Sequence, residues 1–308
     1  MTLESVARKD FRDALRSRWL LGLTLFFSLL IGGSTTLFYG YLLKDAGANS
    51  EALFGLTTAP GGLFSFSFAG MLGFVLALIA LVTAHGSLID ERESGTMKLL
   101  LSLPNSRRDV VLGKFVGRTL VVIVAMLVGF VIALFAMLFT GGQVMFTSFA
   151  GQVALSGLLA TAFVSIGIWL SATSETQRQA LFSTVGLYFI FAVLWSTVAT
   201  GVPRVLNWVA DKVPGVEQLA SEQIALMRLF IKYLNPLRAY ETLVAQLYGS
   251  AAAARLFKAG FAESIVLQPV LKESIPFYLS TPFILAVLLG WIVVPPLLGY
   301  WSFERADL

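Results

Sequence analysis

Six stretches of the chain are long and apolar enough to cross a lipid bilayer as helices. A spanning helix needs about 20 mostly apolar residues, whereas a transmembrane β-barrel would show short alternating segments. The first stretch is also longer than the apolar core of a signal peptide, so we expect it to be retained. The pattern predicts an all-α integral membrane protein with six transmembrane helices, at Trp19–Leu43, Leu63–Ala84, Phe115–Phe139, Ser148–Leu170, Gln179–Thr200 and Pro282–Trp301.

Residues 1–18 precede the first stretch and show an amphipathic pattern instead. With 3.6 residues per turn, the apolar residues fall on one side of a helix and the basic residues on the other, although Glu4 and Asp10 interrupt the apolar side. Such a helix can lie in the headgroup layer with its basic face toward lipid phosphates; the alternative is a basic flank that only sets the topology. We therefore predict an N-terminal interfacial helix with the membrane-surface residues Arg8, Lys9, Arg12 and Arg16.

The connection between the fifth and sixth stretches, residues 201–281, is also patterned as helix. Apolar residues recur at helical spacing from Glu217 to Leu234, Asn235-Pro236 marks a break, and a second helix is predicted from Pro236 to Tyr248. The first of these helices carries too many apolar side chains to stay free in water. We expect it to cover the outer mouth of a dimer as a lid, or to close as a local hairpin on the second helix.

The composition excludes several classes of function. Hydrophobic residues make up 57% of the chain and charged residues 13%, which is too apolar for a soluble domain. The chain has no cysteine and a single histidine, His85, so disulfides, thiolate sites and multi-histidine metal sites are not expected. The basic residues lie beside apolar spans rather than on one face, which argues against nucleic-acid binding. No paired-acid site or nucleophile–His–acid set is evident, so no catalytic residue is predicted.

The distribution of Lys and Arg predicts the orientation. Residues 1–18 carry five basic residues and the loop after the second stretch carries five, against one in the loop after the first. Short loops rich in Lys and Arg remain in the cytoplasm. We predict a multi-pass protein of the cell membrane with both termini cytoplasmic and the helical loop 201–281 extracytoplasmic.

The loop at residues 85–114 is the most informative part of the chain. Three acids in four residues follow a membrane span, a glycine permits a backbone break, and a short amphipathic helix then stops before Pro104. Asn105, Ser106 and Asp109 suit the start of the next helix. The loop predicts a docking surface for a cytosolic partner, with a solvated charged turn as the alternative.

This loop resembles the first cytoplasmic loop of ABC transporter permeases of the second type, and is closest to the NosY-like group. The likeness rests on E-R-E-x-G-T at 91–96, L-L-L-S-x-P at 99–104, Ser-Arg at 106–107 and Gly-Lys at 113–114. The resemblance implies that the loop holds a coupling helix, which fits a groove on a separate cytosolic ABC ATPase. The predicted partner-binding residues are Glu91, Glu93, Gly95, Thr96, Leu99, Leu100, Pro104 and Arg107.

The resemblance implies a permease domain at 19–308, present in two copies, that uses ATP hydrolysis to export a substrate or to act on an extracytoplasmic partner. The chain lacks a phosphate-binding loop, because Gly113-Lys114 is not preceded or followed by the required residues. We therefore expect ATP and Mg on the partner ATPase and no cofactor on this chain. The alternative is a non-transport membrane scaffold or membrane enzyme that acts through its outer helical loop.

Two further features concern the predicted spans: their ionisable residues and their pairs of small residues. Within the predicted spans we find only Arg118 as an ionisable residue, which argues against an ion-coupled carrier. Gly113–Gly117, Ala69–Gly73 and Gly157–Thr161 are pairs of small residues that let helices approach closely. The sequence leaves open whether these pairs act within one chain or between two copies.

Overall fold

In the computed structural model, residues 3–16, 18–37, 68–96, 106–140, 144–214, 216–256 and 259–305 are described, and all of their regular structure is helical. Within these residues six helices are long and apolar enough to cross a membrane, which confirms the predicted all-α fold with six spans. The described helices are α1 (Leu3–Leu15), α2 (Arg18–Leu37), α3 (Phe68–Ala84), α4 (Ile89–Glu93), α5 (Arg107–Phe139), α6 (Phe146–Thr173), α7 (Gln177–Lys212), α8 (Ser221–Tyr233), α9 (Pro236–Leu247), α10 (Ala251–Leu256), α11 (Phe261–Glu273) and α12 (Thr281–Glu304).

The candidate spans are α2, α3 with α4, α5, α6, α7 and α12. Five of them coincide with the predicted stretches, although the second continues to Glu93 and the third begins earlier, at Arg107; residues 38–43 and 63–67 lie outside the described residues. The fifth differs, because α7 continues to Lys212 rather than ending near Thr200. Its C-terminal part packs against α8, and Pro203 and Ala210 of the extension are buried.

Helix α6 packs against several helices of the bundle. Two of its serines hydrogen-bond to backbone groups of neighbouring helices at points where the regular helical bonding is interrupted. Ser171 Oγ accepts hydrogen bonds from the backbone N–H groups of Leu88 and Ile89, at 2.9 and 3.1 Å, where the chain turns from α3 into α4. Ser165 Oγ donates to Ile292 O at 3.0 Å in α12. Pro296 lies four residues after Ile292 and has no N–H, so it leaves that carbonyl without its usual helical donor. In a membrane such groups need a partner within the protein.

Both helices predicted in the 201–281 connection are present. Helix α8 packs mainly along α7, unlike the predicted hairpin with α9, while the predicted lid over a dimer stays a prediction. Helix α8 lies antiparallel along α7: Asn207 Oδ1 accepts from Leu219 N, just before α8, at 2.9 Å, and Trp195 Nε1, 12 residues earlier in α7, donates to Ile231 O near the end of α8 at 2.8 Å. Twelve helical residues correspond to about 18 Å. Helix α8 therefore returns alongside the fifth span instead of closing mainly on α9.

Helix α9 lies inside the bundle, among α3, α6 and α12. Tyr240 is fully buried, and its hydroxyl hydrogen-bonds with Ser156 Oγ of α6 at 2.9 Å. Its ring fills the space beside Gly73, where an added Cβ would lie 2.9 Å from ring atoms. The predicted Ala69–Gly73 pair therefore admits an aromatic ring of the same chain. This insertion was not visible in the sequence, because α9 is shorter than a membrane span.

Candidate functional site

Several helix ends meet at one end of the bundle, which we call the terminal end because α1 and the last turn of α12 both lie there. Arg107 at the start of α5 donates from Nη1 to the carbonyls of Phe303 and Glu304, at 2.7 and 2.9 Å. These carbonyls belong to the last turn of α12, where a cation is favoured by the helix dipole. The predicted partner-binding residue Arg107 thus ties the third span to the sixth.

Helix α1 docks on α5 through two glycines. An added Cβ at Gly113 would lie 2.7 Å from Val6 Cβ, and one at Gly117 would lie 2.9 Å from Asp10 Cβ. Val6 and Ala7 are buried in this contact. The Gly113–Gly117 pair therefore packs against the N-terminal helix of the same chain. The apolar face of α1 is covered by α5.

The basic face of α1 points away from the bundle. Arg8, Lys9, Arg12 and Arg16, the predicted membrane-surface residues, are all exposed. Arg8 also pairs with the exposed Glu4 at 2.9 Å, one helical turn earlier. Four cations therefore remain accessible beside the start of the first span at Arg18.

Asp10, on the otherwise apolar face of α1, forms ion pairs with two basic residues of α5. We call Asp10, Glu91, Lys114 and Arg118 the four-charge cluster. Lys114 Nζ lies 2.8 Å from Glu91 Oε1 and 3.9 Å from Asp10 Oδ1, and Arg118 Nε lies 3.1 Å from Asp10 Oδ2. The Arg118 contact is an ion pair whose angle is poor for a hydrogen bond, since Nε and Oδ2 have no aligned partner.

The four-charge cluster depends on mutual pairing because it is largely removed from water. Lys114 is only 3% exposed. Burial raises the pKa of Asp10 above its ordinary value, although the charges of Arg118 and Lys114 oppose this rise. Removing one partner of such a pair leaves an uncompensated buried charge, which is strongly destabilising. The cluster therefore holds α1, α4 and α5 in one arrangement.

The predicted coupling residues Glu91 and Glu93 both bond within the chain. Glu91 reaches Lys114, as described above, and Glu93 Oε1 accepts from the backbone N–H of Gln177 at 2.8 Å. Gln177 is the first residue of α7, where unsatisfied N–H groups and the helix dipole favour a carboxylate. Glu93 therefore fixes the end of α4 to the start of the fifth span.

Of the remaining predicted coupling residues, some lie within the described residues and some lie outside them. Gly95 has φ of +74°, the only positive φ among the described residues, and this value favours glycine at the end of α4. Thr96 is exposed and its hydroxyl lies 2.9 Å from Ser94 Oγ. Leu99, Leu100 and Pro104 lie in 97–105, as does the predicted amphipathic helix, and are outside the described residues.

The start of α5 follows the prediction. Ser106 caps the helix: its Oγ accepts from Asp109 N at 3.1 Å, and its own N–H donates to Asp109 Oδ2 at 3.2 Å. This reciprocal pair satisfies two otherwise free donors. The described chain therefore ends at a glycine turn before residue 97 and resumes at a capped helix after residue 105.

Sequence reasoning missed the roles of Asp10, Lys114 and Gln177. A signal for the first two was present, because an acid on the apolar face of α1 needs a buried cation, and Lys114 and Arg118 lie one turn apart on a glycine-lined face. The Gln177 contact depends on a backbone N–H and left no such signal. Among the described residues no group of three metal-binding side chains occurs. The arrangement can transmit a displacement between the helices that it joins.

Comparison with known proteins places this geometry in context. Residues 5–308 match the family described as ABC-2 family transporter protein. Two curated relatives, from Pseudomonas aeruginosa and Stutzerimonas stutzeri, are each named "Probable ABC transporter permease protein NosY". Each is 31% identical over 217 residues, which cover 66% of this chain and 75% of the relative.

Proposed function

Starting from the fact that the chain belongs to the ABC-2 transporter family, in agreement with the resemblance of its 91–114 motif, we propose that this permease is driven by a separate cytosolic ATPase docked at residues 91–107. ATP and Mg would be bound by that subunit, while this chain contributes only docking and transmission. In this proposal two copies of the permease assemble with the ATPases, and the terminal end faces the cytoplasm.

The observation that carries the proposal is the set of contacts radiating from the flanks of the 97–105 segment. Glu91 connects to α5 and, through Lys114, to Asp10 of α1. Glu93 connects to the start of α7, and Arg107 to the end of α12. A push that reaches these flanks would therefore be passed to α1 and three spans through the contacts named above.

The mechanism that follows is mechanical. Closure of the ATPases on ATP would displace the 91–107 segment, and the charge contacts would carry that displacement to α5, α7 and α12. Reorientation of these spans would then export a substrate or move an extracytoplasmic partner. A change in ATPase conformation shifts the permease only through contacts that differ between its two states, and these contacts are candidates for that role.

The exposed cations of α1 have a separate proposed role at the membrane surface. Arg8, Lys9, Arg12 and Arg16 precede the first span directly, so they would meet the headgroups of anionic lipids. Each basic residue near such a surface contributes about 1 kcal/mol of attraction. Because the apolar face of α1 is covered by α5, the lipid contact would be electrostatic rather than insertion.

A charge exchange tests whether Glu91 acts through Lys114 or touches the ATPase directly. Glu91→Lys should uncouple ATP hydrolysis from the permease, because it leaves two cations buried together. The double variant Glu91→Lys/Lys114→Glu should restore coupling in part if the pair transmits force, because it re-forms the ion pair but places a carboxylate near Asp10. ATPase activity of the purified complex, with and without permease, is the measurement.

The exposed pair at Glu4 supplies the control. Glu4→Lys changes the same charge at the same end of the molecule but breaks only a solvent-exposed contact, so it should leave coupling unchanged. A double variant as inactive as Glu91→Lys, in a folded complex, would refute transmission through the pair and would favour direct contact with the ATPase.

A further inference from the structure

The turn between α8 and α9 lies inside the bundle, and its backbone carbonyls need partners there. The last turn of any helix leaves carbonyls without helical donors, and within a membrane these must be satisfied by the protein. Two tryptophans supply donors: Trp195 of α7 bonds Ile231 O at 2.8 Å, and Trp291 of α12 bonds Leu234 O at 2.9 Å. The turn is therefore held by the fifth and sixth spans.

Asn235, in the same turn, uses both ends of its amide. Its Oδ1 accepts from Leu237 N at 2.8 Å and so caps α9, while its Nδ2 donates to Phe191 O of α7 at 2.7 Å. The residue is fully buried. An amide fits this position because it is acceptor and donor at once, whereas serine is shorter and an ionised carboxylate cannot donate.

Phe191 lies in a π-helical segment of α7, Ile190–Leu194. A π-helical turn shifts the backbone bonding from the fourth to the fifth residue and widens the helix, and such turns occur frequently at functional sites. The ring of Phe191 is also enclosed by Trp195 and Trp291, with centroid distances of 5.3 and 5.2 Å. The π-helical turn of α7 and the α8–α9 turn therefore stabilise each other by direct contact.

We propose that Asn235 is a positioning residue that fastens the α8–α9 hairpin to the π-helical turn of α7, so that the hairpin follows each displacement of the fifth span. Only the displacement itself rests on the proposed function; the fastening is a property of the folded chain. Motion that begins at Gln177, at the terminal end of α7, would thereby reach the opposite end of the bundle through α8.

The fastening is tested by amide hydrogen exchange on the full-length permease in lipid nanodiscs. Asn235→Ser keeps an acceptor for Leu237 N but cannot reach Phe191 O, whereas Asn235→Ala loses both contacts. Asn207→Ser is the control, because Asn207 bonds α7 to the start of α8 away from the turn. Exchange at 190–195 and 231–239 should rise about tenfold in Asn235→Ser, since one buried hydrogen bond is lost, and should stay unchanged in Asn207→Ser. Unchanged exchange in Asn235→Ser would overturn the fastening.

The transmission is tested with single cysteines, which are clean reporters because the chain has none. Arg178→Cys reports on the terminal end of α7 and Glu222→Cys on α8, and both native residues are exposed. With the co-purified ATPase, ATP and Mg should change the thiol-labelling rate at both positions. Adding Asn235→Ser should preserve the response at 178 and weaken that at 222, because Trp195 and Asn207 still hold α8 on α7; general destabilisation would not produce this separation.

The two arms separate two kinds of failure. An undiminished response at 222 in Asn235→Ser would refute the positioning role. Absence of any response at 178 in the otherwise native chain would contradict the proposed coupling to an ATPase, while the exchange experiment would still decide whether Asn235 fastens the hairpin.

Discussion

Replacement of Gly117 by alanine should loosen the N-terminal helix. The new Cβ would lie 2.9 Å from Asp10 Cβ and 3.2 Å from the backbone oxygen of Ala7. Carbon atoms pack comfortably at about 3.5–4.0 Å, so α1 must retreat by somewhat under 1 Å. Overpacking of this kind costs about 1–3 kcal/mol, whereas alanine gains about 1 kcal/mol over glycine in a helix. We expect a net loss of about 1 kcal/mol, together with weaker contact between Asp10 and Lys114.

Gly157→Ala is the matched control. Gly157 also lies inside a long helix, but an added Cβ there meets nothing within 4 Å. This variant should keep the helix-propensity gain and be stabilised by up to about 1 kcal/mol. The two variants therefore have opposite expected signs for the same chemical change.

The assay combines thermal unfolding of the purified permease with tryptic cleavage at the exposed basic residues of α1. Gly117→Ala should unfold at a lower temperature and release its N-terminal peptides faster, whereas Gly157→Ala should do neither. Equal stability and equal cleavage rates in the two variants would refute the docking of α1 on the glycine face of α5.

Three further outcomes follow from the structure. Single cysteines at Ser106 and Ser221 should differ in intact cells: an impermeant thiol reagent should label position 221 only, and labelling at 106 alone would invert the orientation. Ser165→Ala should lower stability by about 1–2 kcal/mol, measured by thermal unfolding, because it leaves Ile292 O without a donor; unchanged stability would contradict this contact. Burial raises the pKa of Asp10, so protonation of this carboxyl favours the folded state. This contribution to stability is fully present below pH 3.8 and is lost as pH rises through the raised value. Asp10→Asn should therefore flatten the dependence of unfolding temperature on pH above 3.8, and an unaltered slope would contradict it.

The features that the sequence predicted are those set by local pattern. The spans follow from runs of apolar residues, the start of α5 from Ser106, and the α8–α9 break from Asn235-Pro236, because each depends on neighbours within a few positions. The predicted break between α8 and α9 is confirmed, and the structure also shows which groups hydrogen-bond to the residues of this turn.

The features that the sequence did not predict depend on distant partners. Trp195 lies within a predicted span, and only the fold shows that it bonds to Ile231; α9 was predicted in an external loop, and only the fold shows that Gly73 makes room for its Tyr240. Periodicity identifies an apolar face but does not identify the surface that covers it. The same limit applies to Glu91, whose role as a docking or transmitting residue depends on Lys114.

The most direct test of the account is photo-crosslinking from Thr96, the exposed residue next to the 97–105 segment. A photoreactive amino acid at 96 in the membrane-embedded permease should capture a protein that mass spectrometry identifies as an ABC ATPase, while the same probe at Glu222, on α8, should not. Crosslinking of the ATPase from 222 but not from 96 would contradict the account, as would an ATPase that co-purifies yet is captured from neither position.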